Sequence, residues 1–109
     1  MYIEDFGYLN FSQYSNNQST AVGLFPNNEF DEYATIISIN IDESDFLNDE
    51  KLFFVDVNNV PKAESILTEN NIAYPTGQRA KSGFVIYPLY ELTDEAYKEY
   101  NKQIKDLFN

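Results

Sequence analysis

Apolar and polar positions fall into short β-like runs early in the chain and helix-like stripes later. Residues 6–11 are aromatic-rich and predict a strand, and residues 20–25 (TAVGLF) predict a second beyond a polar turn at 15–19. Across 33–41 the alternation is regular: Tyr33, Thr35, Ile37, Ile39 and Ile41 share one face, and Ser38 and Asn40 mark a wetter one. Residues 52–57 (LFFVDV) are nearly all apolar, as a central strand buried on both faces would be. A fifth strand is predicted at 84–90, where Pro88, lacking an N–H, sets its end at an edge or bulge.

Two segments carry the 3.6-residue period. In 59–70, Asn58 or Asn59 is a candidate cap, Pro61 suits a first turn, and Ala63, Ile66 and Leu67 form one apolar stripe. In 93–108, Thr93 is the candidate N-cap, and Asp94 and Glu95 complement the positive end of the helix dipole. Tyr97, Tyr100, Ile104 and Leu107 recur at 3-4-3 spacing, with Lys98, Lys102 and Lys105 off that stripe. The Asn pairs 16–17, 27–28, 58–59 and 70–71 read as turn punctuation, since Asn tolerates left-handed backbone and bonds its own main chain. Short links between the early strands favour antiparallel pairing. The expectation is one α+β domain over 1–109: an antiparallel sheet of about five strands, ββββαβα in order, with two helices packed on it.

Composition narrows the chemistry. Nine Phe and nine Tyr supply large buried areas, so the chain reads as folded without disulfides. Cys and His are both absent, which removes thiolate and imidazole metal sites, thiol nucleophiles and any triad with an imidazole base. Residues 1–10 have no basic region before an apolar run, and no stretch approaches a membrane span; neither a signal peptide nor a membrane segment is expected, and the location read is cytoplasmic.

Charge changes the picture most. The net charge is −11, and residues 1–50 hold ten acids and no Lys or Arg, whereas 51–109 hold eight acids against seven bases. Such a field repels nucleic acid and anionic membrane and attracts basic protein surfaces. An acidic surface also serves solubility alone, although solvated faces ordinarily mix both signs. The densest acidic stretch, 42–50, lacks the Gly and the alternating oxygens of a calcium loop, and Phe46-Leu47 interrupts it. It reads as a solvated acidic loop or short helix between strands that presents carboxylates; no metal and no cofactor are expected. Residues 74–83 (YPTGQRAKSG) hold Lys81-Ser82-Gly83 ahead of a strand, the reverse of a phosphate loop. They read as a turn-rich loop set by Pro75 and Gly77, with Arg79 and Lys81 as a small anion contact or partners for nearby acids. No carboxylate pair is selected by spacing for glycosidase-type work.

Four segments, 14–25 (YSNNQSTAVGLF), 32–40 (EYATIISIN), 53–59 (FFVDVNN) and 71–92 (NIAYPTGQRAKSGFVIYPLYEL), resemble a family of small acidic proteins carried by phages, plasmids and conjugative elements of Gram-positive and gut bacteria. The resemblance covers 14–92, rests on turn Asn and Gly and on core positions, and carries over no catalytic residue. It implies a setting in which small acidic proteins counter host defence, as anti-CRISPR and antirestriction proteins do, some by mimicking nucleic acid. The expectation is then a non-enzymatic inhibitor of a defence nuclease, with a type II CRISPR effector as the implied partner. Its carboxylates would meet the Arg-lined, positively charged channel such effectors use. The candidate surface is Glu29, Asp31, Glu32, Asp42, Glu43, Asp45, Asp49 and Glu50. The alternatives are an accessory or regulatory protein of the element acting through protein contacts, and a carboxylate enzyme with or without a divalent ion. Direct nucleic-acid binding is not expected, and monomer and homodimer both remain open.

Overall fold

A computed structural model describes residues 1–26, 34–41 and 49–105. Its described residues form two four-stranded antiparallel sheets and two helices, an α+β fold. The first sheet has the order β1-β2-β3-β4, with β1 at Tyr2–Ile3, β2 at Gly7–Gln13, β3 at Thr20–Phe25 and β4 at Thr35–Ile36. The second has the order β5-β6-β8-β7, with β5 at Ser38–Ile39, β6 at Leu52–Val55, β7 at Ala73–Ser82 and β8 at Val85–Leu92. Helix α1 spans Ala63–Glu69 and α2 spans Asp94–Ile104.

The alternating segment expected as one strand divides at Ile37 and serves both sheets. Ile37 is fully buried; its N–H donates to the Val22 carbonyl (2.9 Å) and its carbonyl accepts from the Asp56 N–H (2.8 Å). Strands that turn a corner between packed sheets do so at such bends. The expectation that Ser38 lies on a wet face fails here. Ser38 is buried, because its Oγ accepts the Val22 N–H (2.8 Å) and sits 2.9 Å from the Tyr14 hydroxyl. Burial pushes the Tyr14 phenol above its ordinary value; Ser38 opposes the shift and the Asp56 carboxylate adds to it.

The main core lies between the sheets and beneath both helices. It joins Leu9, Phe11, Val22 and Leu24 to Phe53, Val55, Tyr90 and Leu92, closed by Ala63, Ile66 and Leu67 of α1 and Ala96 and Tyr100 of α2. A smaller cluster of Ile41, Phe54, Ala80, Tyr87 and Leu89 uses the other face of the second sheet. Strand β6 therefore buries successive residues on opposite faces, as its unbroken apolar run predicts.

Helix α1 carries its expected stripe, and α2 carries Tyr97, Tyr100 and Ile104 of its own, Leu107 lying outside the described residues; their starts differ. Thr93 caps α2, its Oγ1 accepting the Ala96 N–H at 3.1 Å. Helix α1 begins only at Ala63 and has no side-chain cap. Asn59 instead donates its N–H and Nδ2 to the Asp56 carboxylate (3.2 and 3.0 Å), which holds the preceding residues in turns. The loop expected at 74–83 is also corrected: β7 and β8 form a long hairpin. Pro75 and Arg79 bound a register shift, and Gly77 within it takes a positive φ of 89°. An edge strand tolerates both proline and an irregularity of this kind. Pro88 sits opposite Arg79, where the register resumes, and beyond the last pair with β6, so no ladder donor is lost.

The Gln103 amide helps fasten helix α2 to the first sheet. Gln103 Oε1 accepts the Phe11 N–H (2.7 Å) and Gln103 Nε2 donates to the Leu9 carbonyl (2.9 Å). The pairs of β1 reach only Gly7 and Tyr8, so this side chain supplies the next rung along β2.

Replacing Ile37 by Ala is expected to cost about 2–5 kcal/mol by leaving a cavity at the corner between the sheets. Replacing its exposed neighbour Ile36 is expected to cost about 1 kcal/mol or less, since that side chain meets water. Urea denaturation of the two variants checks the difference; equal losses would contradict the pivot.

Candidate functional site

Six of the eight expected surface carboxylates, Glu29, Asp31, Glu32, Asp42, Glu43 and Asp45, lie outside the described residues. Asp49 and Glu50 are described, and they stand together on the rim of a polar groove of about 620 Å³. Gln13, Asn17, Gln18 and Ser19 form one wall, from the β2–β3 turn, and Tyr97 of α2 forms the other.

The β2–β3 turn is held by its own amides. Ser19 N–H donates to Asn17 Oδ1 (3.1 Å), Asn17 Nδ2 to Asn40 Oδ1 (3.0 Å), and Asn40 Nδ2 to Asn16 Oδ1 (2.8 Å). Gln18 takes a left-handed φ of 58°, and its N–H closes the turn onto the Tyr14 carbonyl at 2.8 Å. The Asn pair thus acts as turn punctuation, and its side chains also bind the turn to the strand leaving Ile39. Nothing in local spacing pointed to Asn40 as their partner.

The two acids differ. Asp49 is exposed; its Oδ1 accepts the Lys51 N–H (2.9 Å), a turn-setting bond that leaves the carboxylate facing water. Glu50 is half-buried and committed internally: its Oε1 accepts from the Tyr97 hydroxyl and from Lys105 Nζ. Its main-chain carbonyl accepts from Thr20 Oγ1. Tyr97 is placed by stacking on the buried Tyr100, with ring centroids 5.7 Å apart and planes 14° from parallel. Lys51 Nζ lies 4.8 Å and Lys105 Nζ 5.7 Å from the Tyr97 centroid, within cation–π range. Of the acids on the described part of the candidate surface, Asp49 is the one that presents its charge outward. Glu50 is matched by Lys105, the C-cap of α2.

Sequence reasoning placed Tyr97 on an apolar stripe and did not expect it at a site. Its amphipathic character was the available signal, since a phenol buries its ring and seeks a partner for its hydroxyl. Tyr100 behaves the same way, accepting from Gln13 Nε2 at 3.1 Å.

The electrostatics of the cluster run away from neutrality. Partial burial raises the Glu50 carboxyl, but hydrogen bonds from Lys105 and Tyr97 outweigh it and hold the group below its ordinary value. The hydrogen bond to Glu50 pushes the Tyr97 phenol up, and the same carboxylate raises the Lys105 ammonium. Proton transfer at neutral pH needs groups tuned toward the working pH, the opposite of this pattern. What the groove offers is hydrogen-bonding amides and carboxylates, suited to a cationic or polar side chain.

A second concavity of about 350 Å³ lies between α1 and the β7–β8 hairpin, with Glu64 and Arg79 on its rim and Ile86, Pro88 and Leu89 among its lining. Glu64 accepts the Tyr90 hydroxyl at 2.6 Å. Burial first, and Glu64 second, push the Tyr90 phenol well above its ordinary value. Arg79 and Lys81 are exposed and form no ion pair with a described residue.

The Glu50 cluster has a definite pH signature. A lowered folded-state value means that its contribution is complete above the ordinary carboxylate range and is lost as pH falls below about 4. Tyr97 and Lys105, both raised, contribute below about pH 10 and lose that contribution as pH climbs through their folded values. Glu50→Gln is expected to remove about 0.5–1 kcal/mol at neutral pH and to flatten the acid limb of a urea-midpoint profile. An acid limb identical to that of the unaltered protein would show that the cluster contributes nothing.

Among the described residues, no helix is long and apolar enough to cross a membrane. No curated protein and no solved structure matches the chain. Residues 8–109, all but the first seven of the chain, match the model of the family described as a domain of unknown function, DUF4313, and the chain belongs to that family.

Proposed function

We propose that this domain is a non-catalytic inhibitor acting in the cytoplasm of a bacterial host. In this reading its acid-only half occupies a basic nucleic-acid-binding surface on a defence nuclease, a type II CRISPR effector being the partner class. The observation that carries the reading is the charge distribution: ten acids and no base over residues 1–50. A protein that only needed solubility would intersperse both signs. Against a channel built to hold phosphates, carboxylates at comparable spacing pair with Arg in bidentate fashion. The pattern at Glu50, Tyr97 and Lys105 supports binding over proton chemistry, because each group is shifted away from neutrality.

Asp49 and the acids of 29–32 and 42–45 are assigned the contact role. Glu50 is assigned a structural one, because its charge is already matched by Lys105.

The test is target-DNA binding by a guide-loaded type II CRISPR nuclease, with and without the protein, at two salt concentrations. Loss of DNA binding that weakens as salt rises is expected, since contacts of this kind are screened. Reversing Asp42, Glu43, Asp45 and Asp49 together to Lys is expected to weaken inhibition at least about tenfold while far-ultraviolet circular dichroism stays unchanged. Undiminished DNA binding in the presence of the protein, or full inhibition by the reversed variant, would overturn the reading.

A further inference from the structure

The exposed aromatic and aliphatic side chains of the described residues gather mainly at two places of opposite charge. The first is the tip of the β7–β8 hairpin. Ser82 pairs with Val85, so the turn has two residues, Gly83 and Phe84, and Gly83 takes the positive φ (63°) that a II′ turn requires at its first position. Phe84 is completely exposed, at 103% of its reference area, and the nearby Ile86 is exposed as well. A small polar residue would serve the turn equally, so this phenyl ring adds nothing to the fold. Ile86 lies directly opposite Lys81, and Pro88 directly opposite Arg79, which puts the two bases and two apolar side chains on one face. Residues 70–90 contain these two bases and no acid, inside a chain of net charge −11.

The second place is the β1–β2 turn of the other sheet. Tyr2, Phe6 and Tyr8 are exposed there beside the exposed Glu4 and Asp5. Tyr2 pairs with Tyr8 across the strands, and their rings meet edge to face at 5.1 Å. The turn is tightly set. Phe6 N–H closes onto the Ile3 carbonyl at 3.0 Å and Asp5 sits at a left-handed φ of 73°. Gly7, at φ 106°, is pressed so close to Phe25 that a Cβ would fall 2.1 Å from its carbonyl oxygen. An aromatic surface with two carboxylates is thus held ready on one sheet, and an apolar tip with two cations on the other.

We propose that these are the two halves of one interface, and that the hairpin tip of one copy docks on the β1–β2 turn of a second copy. Phe84 meets the Tyr2, Phe6 and Tyr8 rings, while Arg79 and Lys81 face Glu4 and Asp5 and the aromatic faces. A second copy is the occupant because this chain itself carries both complementary surfaces. The contact is heterologous, so repetition makes a closed ring or an open string of copies. Two copies of net charge −11 repel at long range, but at physiological ionic strength the Debye length is about 8 Å and the local pairs decide the contact. The acids assigned to the nuclease are not used, so the two interactions stand independently.

Sedimentation velocity of the full chain at physiological ionic strength, up to millimolar concentration, tests this. The unaltered protein is expected to associate with rising concentration. Phe84→Ser, with a disabled tip, and Glu4→Lys/Asp5→Lys, with a disabled turn, are each expected to associate at least about tenfold more weakly. Both changes are at exposed positions, and circular dichroism checks that the variants fold. Their equimolar mixture is expected to form a one-to-one dimer and nothing larger, because only one working tip meets one working turn. A monomeric unaltered protein, a mixture no heavier than its components, or association that survives in both variants would each overturn the proposal.

Discussion

The fold turns on the backbone of Ile37. Its N–H belongs to the ladder of the first sheet through Val22, and its carbonyl belongs to the second through Asp56. A residue buried this completely leaves no water to satisfy either group, so both bonds must form together. Ser38 reinforces the corner by offering its hydroxyl to the Val22 N–H, whose strand partner has already turned away. Phe53 and Val55 then meet Leu9, Phe11, Val22 and Leu24 across the gap, and the helices close the remaining sides with Leu67 and Tyr100.

From that corner the polar features follow. The chain leaving Ile39 brings Asn40 against the Asn16–Asn17 turn, and Thr20 bonds the Glu50 carbonyl. Tyr97, supported on Tyr100, then reaches the Glu50 side chain, with Lys105 beside it. The groove is therefore built by packing that also serves the core. Its acid nearest the helix is neutralised from within, while Asp49 faces outward, which divides two adjacent carboxylates into a structural and a presenting role.

The distribution of charge is more polarised than the net value conveys. The charged residues of the first fifty are all acids, whereas residues 70–90 carry only Arg79 and Lys81 and the hairpin's one acid, Glu91, lies at the end far from its tip. Fields of opposite sign on separate elements orient encounters with other surfaces, and exposed apolar side chains within each patch supply the contact area that charge alone lacks. Membership of DUF4313, matched over 8–109, attaches no activity to the domain. The reading as an inhibitor therefore stands on that charge distribution and on the chemistry of the groove.

The sequence by itself determined the α+β class, the antiparallel pairing of its early strands, the stripes of Ala63, Ile66 and Leu67 and of Tyr97, Tyr100 and Ile104, the Thr93 cap and the asymmetry of charge. Each depends on neighbours a few residues apart or on composition, so it is legible without knowing how the chain crosses itself. Local rules misread 74–83, because Pro75 and Gly77 signal a turn in isolation, yet the open edge of a sheet accepts both. They also left Ser38 on a wet face, since alternation assumes that a strand stays within one sheet. Tertiary structure alone decided which groups Glu50 meets, 47 and 55 residues away, and that Gln103 completes β2 across 92 and 94 residues. Such partners are chosen by where two sheets and a helix converge, and no spacing along the chain encodes that convergence.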